Sequence, residues 1–386
     1  MSLRRIALTS GLAITLAAMP AFTSRRPRYG GTLILEMGAT IDSIDSVALG
    51  YSAEAVAKRQ IDSLIYDHRN SDGSFSDPGP FRVAEWEPRK HAVLAANEDF
   101  QRGRPFVDSI EIQMGRPASE RLIDVELNKA DIAEIPADQA RRAAENGART
   151  SASKPDELIA LYFVRSDEQS GDRLLREALS RSIDRPAIVN FILQKEGEPA
   201  GGLLPQWSSG TAFLFPTSRD LDRAKELRSQ IPGSVKIGLG YDSGDPPVQA
   251  IGERIAVNAR EAGISITTEA IPKGGGSRAE ARLVRLDMPS RDPRATLVAF
   301  LDQLHVPTTA DDADEGLPDP ATPQQIYDRE AAVIQSYFVI PIAWIPHVYA
   351  LSARVRDWKA PGPGENWPLA DVWLDQAASQ PEKGTP

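Results

Sequence analysis

Apolar residues recur along this chain in two rhythms, short β-like runs and longer stretches at helical spacing, and the two take turns from one end to the other. Residues 32–37 form a compact apolar run entered through Gly30-Gly31, which predicts a strand. Over 52–66, Ala55, Val56, Ile61, Leu64 and Ile65 fall at helical spacing behind Ser52 as cap. A turn-rich stretch, 68–80, follows, with Asp72-Gly73 and Pro78-Gly79 as breakers. Residues 81–86 and 91–95 then read as a hairpin, and 107–114 alternates as a half-buried strand should. Helices are expected over 121–127 and 137–145 around a short strand at 131–133. A strongly apolar strand is predicted at 158–164, then helices over 171–181 and 185–193, the latter opened by Pro186. Further on come strands at 235–241, 264–271 and 282–286, and a helix over 247–262 closed by Gly263. The last elements are a helix over 323–337 and an apolar run over 339–344, which Pro341 marks as an edge or crossing strand. Strands alternating with helices throughout predict mixed sheets covered by helices, an α/β architecture.

Length and charge narrow the function. A chain of 386 residues exceeds one small core and suits two lobes. Its net charge of −10 is spread along the sequence, which argues against nucleic acid, since phosphate binding needs clustered Lys and Arg. There is no cysteine, which removes disulfides, thiolate chemistry and iron–sulfur ligation. The N-terminus reads as an export signal: Arg4-Arg5, an apolar run over 6–19, then small residues and Pro20. Ala18, Met19, Pro20 and Ala21 give no clean small-x-small triplet, so an uncleaved anchor is the alternative.

Chemistry beyond binding finds little support. No G-x-S-x-G elbow and no phosphate loop occurs, and the Gly-rich run 273–277 precedes no apolar helix. His68, His91, His305 and His347 are far apart and form no H-x-x-x-H pair, so solvated or packed histidines are expected, with no catalytic group, metal site or cofactor. The acidic stretch 308–323 reads as a solvated loop.

Several segments, in order, resemble the extracellular solute-binding proteins of family 5, the peptide- and nickel-type receptors of ABC transporters. They are Tyr29-Gly30-Gly31-Thr32-Leu33 with Ile44-Asp45-Ser46, and Asp77-Pro78-Gly79-Pro80-Phe81 before Trp86. Next come Asn97-Glu98-Asp99-Phe100 with Gly103-Arg104-Pro105-Phe106-Val107-Asp108-Ser109-Ile110, and Asn128-Lys129-Ala130-Asp131-Ile132-Ala133. Arg176-Glu177-Ala178-Leu179 with Ile183-Asp184-Arg185, Leu204-Pro205, and Asp222-Arg223-Ala224-Lys225-Glu226-Leu227 complete the series. Each is weak alone; their order is the signal. Two departures stand out. Only 67–80 occupies the place where the family carries a subdomain-sized insert, and the family's amine-gripping D-Y-P-D-P aligns here only at Asp292-Pro293.

The resemblance implies a two-lobe periplasmic binding protein-like fold (type II, cluster C-like) with a hinge of crossing strands. Lobe one is expected over 30–166 plus 350–386 and lobe two over 167–349, after an N-terminal signal or anchor at 1–29. It implies an exported, monomeric component of an ABC importer that binds a peptide or other small ligand, meets a membrane permease, and catalyses nothing. Candidate ligand contacts at strand ends facing the hinge are Glu36, Met37, Tyr162, Arg165, Arg285 and Asp287, together with Trp207 beside Leu204-Pro205. Trp86, Trp358 and Trp373 read as core. Arg165 and Arg285 would suit an anionic ligand through their two-pronged guanidinium, with a surface ion pair as the bland alternative. A ligand-blind remnant of the same fold, and further behind an exported hydrolase, are the rival readings.

Overall fold

The computed structural model describes residues 26–45, 53–69, 75–164, 173–210, 215–272, 274–306 and 317–375. The expected signal at the N-terminus, most of the acidic stretch 308–323, and Arg165 therefore lie outside the described residues. Two mixed sheets organise the rest. The first has seven strands in the order Phe81–Glu87, His91–Ala96, Ser109–Gln113, Thr32–Glu36, Ile132–Ile135, Val348–Leu351, Arg149–Ala152. The second has six, ordered Glu198–Pro199, Val339–Ile345, Glu157–Phe163, Ala281–Asp287, Lys236–Asp242, Ser265–Ile271. In each sheet parallel pairs sit beside antiparallel ones: Thr32–Glu36 runs parallel to both neighbours, and Lys236–Asp242 does likewise. The α/β expectation with mixed sheets flanked by helices is met.

The strands follow their sequence patterns. Ser109–Gln113 alternates, burying Ile110 and Ile112, and so faces a core on one side. Glu157–Phe163 and Val339–Ile345 are buried along nearly their whole length, as central strands covered on both faces must be. Helices carry the expected signals: Thr322 and Gln325 form a reciprocal capping box with Pro323 at the first turn of Pro323–Ser336. Asp245 caps Pro246–Glu261 through Val248 N at 3.1 Å.

Several expectations are corrected. The first crossing does not fall near Arg165. Glu157–Phe163 pairs with Ala281–Asp287 and Val339–Ile345 inside the second sheet, and Val348–Leu351 pairs inside the first. The chain therefore passes between sheets at 153–156 and returns at 346–347, so 157–164 and 348–349 lie with the other sheet than the expected division gave them. Val339–Ile345 is no edge strand: it lies between Glu157–Phe163 and the two-residue strand Glu198–Pro199, and a register shift between Pro341 and Ala343 absorbs the missing donor. The turn-rich stretch 68–80 holds a small hairpin, Tyr66–Arg69 with Phe75–Pro78. Residues 185–193 change from one α-turn to a π-helical segment, Ile188–Ile192. Asp292 caps an unforeseen helix, Pro293–Leu304, accepting from Arg294 N and Ala295 N at 3.2 Å.

Three apolar clusters result. One packs behind the first sheet around Leu33, Leu35, Ile110 and Ile112, with Trp358, Trp367 and partly buried Trp86 against it; Trp373 is buried too. A second packs on the outer face of the second sheet around Phe300 and Trp344, whose rings lie 6.3 Å apart. The third is continuous across both halves, running from Ala133 and Ile135 to Ile159, Leu161 and Leu283. Truncating one of these leucines to alanine costs about 2–5 kcal/mol.

Candidate ligand site at the junction of the two sheets

The two crossing segments are hydrogen-bonded to each other. Ser153 N donates to His347 O at 3.0 Å, His347 N to Ser153 Oγ at 2.9 Å, and Asp156 N to Ile345 O at 3.0 Å. They form one ribbon between the halves.

Strand alternation then decides what meets there. Ala281 and Leu283 share a face of their strand, and Ile159, Leu161 and Phe163 share the facing side of theirs, all in the continuous cluster. One step further toward the junction, the same two faces carry Arg285, Asp287 and Glu157 instead. Register sets Asp287 directly opposite Glu157, a like-charge pair that needs cations nearby. Arg285 is one: Nη1 donates to Glu157 Oε2 at 2.8 Å, and Nη2 and Nε donate to Asp245 Oδ1 and Oδ2 at 3.1 and 2.5 Å. His347 is the other. Its Nε2 lies 3.0 Å from Asp287 Oδ1 and its Nδ1 3.6 Å from Glu134 Oε1, on the first sheet. Behind Glu134 stands Arg121, Nη1 to Oε2 at 3.4 Å. Carboxylates from both halves thus converge on the return crossing.

Titration follows from this crowding. Burial opposes charge on His347, but its bonds to Asp287 and Glu134 outweigh that and raise its pKa well above the ordinary imidazole value. Burial also pushes Glu134 up, yet His347 and the charges of Arg121 and Arg285 hold it down at about 2. Glu157 goes the other way: burial, with Asp287 and Asp245 adding to it, prevails over Arg285 and pushes it up. Burial raises Asp156 to about 6. Arg285 feels burial against its charge but is held protonated by Glu157 and Asp245.

The seven residues singled out from sequence are distributed unevenly. Arg285 and Asp287 lie in the junction network. Trp207 packs against the first crossing, its indole N–H donating to Pro155 O at 2.9 Å with Lys154 Nζ 5.1 Å from its ring centroid. Tyr162 alternates to the opposite face, toward the outer cluster of the second sheet. Met37 is packed in the first-sheet core. Glu36 ends its strand beside Arg116, at 3.5 Å, and only 2 % of its side chain is exposed; burial and neighbouring Asp124 raise it to about 7. Arg165 lies outside the described residues. Because Arg285 is already neutralised by two carboxylates, the basis for an anionic ligand there falls away. Glu134, Glu157, Asp245, Arg121 and His347 were missed. The available signal was a charge inside an otherwise apolar strand, Glu134 in Ile-Ala-Glu-Ile and Glu157 heading Glu-Leu-Ile-Ala-Leu-Tyr-Phe.

His347 is one of the packed histidines expected from the sequence. Glu157, Asp287 and His347 each bring a donor or acceptor atom within 4.8 Å of the others, a meeting that no local spacing announces.

Two mixed sheets, each wrapped in helices and joined by a paired crossing, make this a two-lobe periplasmic binding protein-like fold. The chain belongs to the bacterial extracellular solute-binding proteins, family 5, whose model (its middle portion) matches residues 49–296. By sequence it is 25% identical to Protein XP55 of Streptomyces lividans over 259 residues, covering 61% of this chain and 48% of that protein. Among solved structures, the oligopeptide-binding protein AppA of Bacillus subtilis, in complex with a nonapeptide, superposes with a TM-score of 0.70 at 12% identity, covering 91% of this chain and all of that one. NikA from Staphylococcus aureus, in complex with Ni(L-His)2, does so with a TM-score of 0.65 at 17% identity, covering 84% and 75%. The chain spans about half the length, or less, of the curated relatives it matches. Two further curated relatives carry the names oligopeptide-binding protein AppA, of Bacillus subtilis, and nickel-binding protein NikA, of Staphylococcus aureus. Among the described residues, no helix is long and apolar enough to cross a membrane.

Proposed function

We propose that this chain is the extracytoplasmic receptor of an ABC importer, which closes two lobes on a peptide or other small ligand and delivers it unaltered to a membrane permease. The lobes are residues 30–152 with 348–375, and residues 157–345. The observation that carries this reading is that the chain passes between the halves at two crossings paired with each other, while charged side chains from both halves face each other beside them. Hinge closure works in this way: a ligand that touches both halves stabilises only the shut state. Four carboxylates, Glu134, Glu157, Asp245 and Asp287, face Arg121, Arg285 and the imidazole of His347, and the excess of acid over base supports a ligand bearing positive charge, such as the amino end of a peptide. Of the sequence-derived contacts, we propose Trp207, Arg285 and Asp287 as those that would serve it. Export to the periplasm and a monomeric state belong to the same reading.

A ligand-blind remnant is the second reading, favoured by one observation: Arg285 and His347 already have carboxylate partners within the chain. A thermal-shift screen of peptides, amines, amino acids, sugars and organic acids separates the two. A true ligand at a hundred times its Kd adds about 2.7 kcal/mol of stability, and small-angle scattering of the same mixture should show a smaller radius of gyration. Silence across every class sinks the receptor reading.

A further inference from the structure

We propose that the turn Gly362–Glu365 of the first lobe and the loop 288–292 of the second form a salt-sensitive latch, closed by Arg291 and Glu365, that holds the ligand-free chain shut. The latch itself requires two lobes that move; that its opening admits a ligand rests on the receptor reading above.

Its place follows from the apolar clusters. On one face of the two sheets the core is continuous across the halves, from Ala133, Ile135, Val348 and Ala350 to Ile159, Leu161 and Leu283. Parting the halves there would bring this surface into water, at a cost in proportion to its area. On the opposite face, strand alternation turns Ile132, Tyr349 and Leu351 into the first-sheet cluster. Leu158, Ala160 and Leu286 turn into the outer cluster of the second sheet, and these two clusters stay separate. This is the face on which the halves part at least cost, with the shared core as pivot. The latch spans it. Trp367, just past the turn, is buried in the first of these clusters, and Met288, at the head of the loop, in the second.

Both sides are stiff before they touch. Pro363-Gly364 makes the bend, with Gly364 at φ +69°, and Glu365 N donates to Gly362 O at 2.9 Å while Gly362 N donates to Glu365 Oε2 at 2.8 Å. Gln60 clamps the turn to the helix Ala53–Ile65: its Nε2 donates to Glu365 O at 2.8 Å, and its Oε1 accepts from Trp367 N at 2.7 Å. Opposite, Met288 N donates to Asp156 O at 3.0 Å, Thr296 Oγ1 to Ser290 O at 2.9 Å and Ser208 Oγ to Arg291 O at 3.3 Å.

The two surfaces also fit. A Cβ on Gly364 would lie 2.8 Å from Pro289 O, and one on Gly362 2.9 Å from Arg291 Nη2, so a side chain at either place would hold the halves apart. Arg291 Nη2 meets Glu365 Oε1, while Oε2 of the same carboxylate stays with the turn. Arg291 keeps 64 % and Glu365 46 % of its side chain accessible, so the pair is open to salt and weak enough to break and re-form.

The test exploits the absence of cysteine. Gln101→Cys and Gln303→Cys, exposed on opposite lobes, carry a donor and an acceptor dye, and single-molecule energy transfer counts shut and open molecules without ligand. At low salt the wild-type pairing should give mostly shut molecules. Arg291→Gln, and Glu365→Gln, which keeps the acceptor of the turn, should each lower the shut-to-open ratio about two- to fivefold. The double variant should lower it no further than either alone. Raising salt from about 0.01 M to about 1 M shortens the Debye length from about 30 Å to about 3 Å, and should reproduce the loss in the wild-type pairing but not in the variants. Arg141→Gln, which breaks an exposed pair inside the first lobe, should change nothing. The salt series needs no substitution in the latch, so a variant that misfolds does not remove the test. A ligand-free chain that rests open, or a ratio indifferent to the pair and to salt while an organic ligand still shifts it, overturns the latch and leaves the receptor. One fixed distance under every condition overturns both.

Discussion

Two groups of buried charge in this molecule look alike in composition and differ in outcome. Asp131 is 1 % exposed and completely served: Oδ1 accepts from Ser352 Oγ at 2.9 Å and from Arg354 Nε, and Oδ2 accepts from Ile34 N at 2.9 Å and Arg354 Nη2 at 2.5 Å. One acid meets one base, and the group ties together three segments of the first lobe. The junction network has the same kinds of side chain but more acids than bases, and its pKa values are pulled in opposite directions. A buried charge that is fully paired and hydrogen-bonded serves architecture. A group with acids in excess of bases keeps the pKa values of its members displaced, as Glu134 and Glu157 are in opposite directions.

That contrast can be broken or sharpened by substitution, the largest effect first. Asp131→Ala strands the Arg354 guanidinium and removes the anchor of Ile34, so stability should fall by about 3–5 kcal/mol, read as a drop in the urea midpoint. Glu330 lies between the two extremes. It is 3 % exposed and accepts Leu203 N and Leu204 N at 2.5 and 2.9 Å, and among the described residues no ion pair reaches it. Burial raises it to about 7 from 4.5 against those bonds. Between these values the folded chain keeps a proton that the unfolded chain has released, so stability should decline as pH rises through that window and level off above it. Glu330→Gln keeps the acceptor without the charge. It should flatten the decline and add on the order of 2 kcal/mol at pH 8 while changing little at pH 4.5, as thermal melts across pH would show. Arg141→Ala removes an exposed pair with Glu145 at 2.8 Å, both side chains more than 60 % accessible, and should move the melting point by less than the equivalent of about 0.5 kcal/mol.

How much of this was legible depended on whether the signal was local. The strand Thr32–Glu36 is an apolar run behind two glycines, and the helix Pro323–Ser336 opens with Thr322, Pro323 and Gln325; both can be read from neighbouring letters. Pro341 left an edge and a crossing strand open; the strand leads into the return crossing and is no edge, because the register shift beside the proline accommodates its missing donor inside the sheet. Asp292-Pro293 looked like part of a ligand motif and became a helix cap. The junction was the least legible part. Glu157 and Arg285 are 128 positions apart and His347 and Asp287 are 60 apart, so nothing in their spacing announces a meeting. Only Arg285 and Asp287 could be nominated, since they end a strand expected to point at the hinge.

The brevity of the return crossing has a consequence of its own. Only Pro346 and His347 separate Ile345 from Val348, and a strand exposes alternate residues to opposite sides. One extra amino acid there would invert Val348–Leu351, turning Val348 and Ala350 out of the shared interior and Tyr349 and Leu351 into their place. Loops at the rim of such a molecule can lengthen freely over generations. This connector cannot, and its length is as much a fixed part of the design as any side chain.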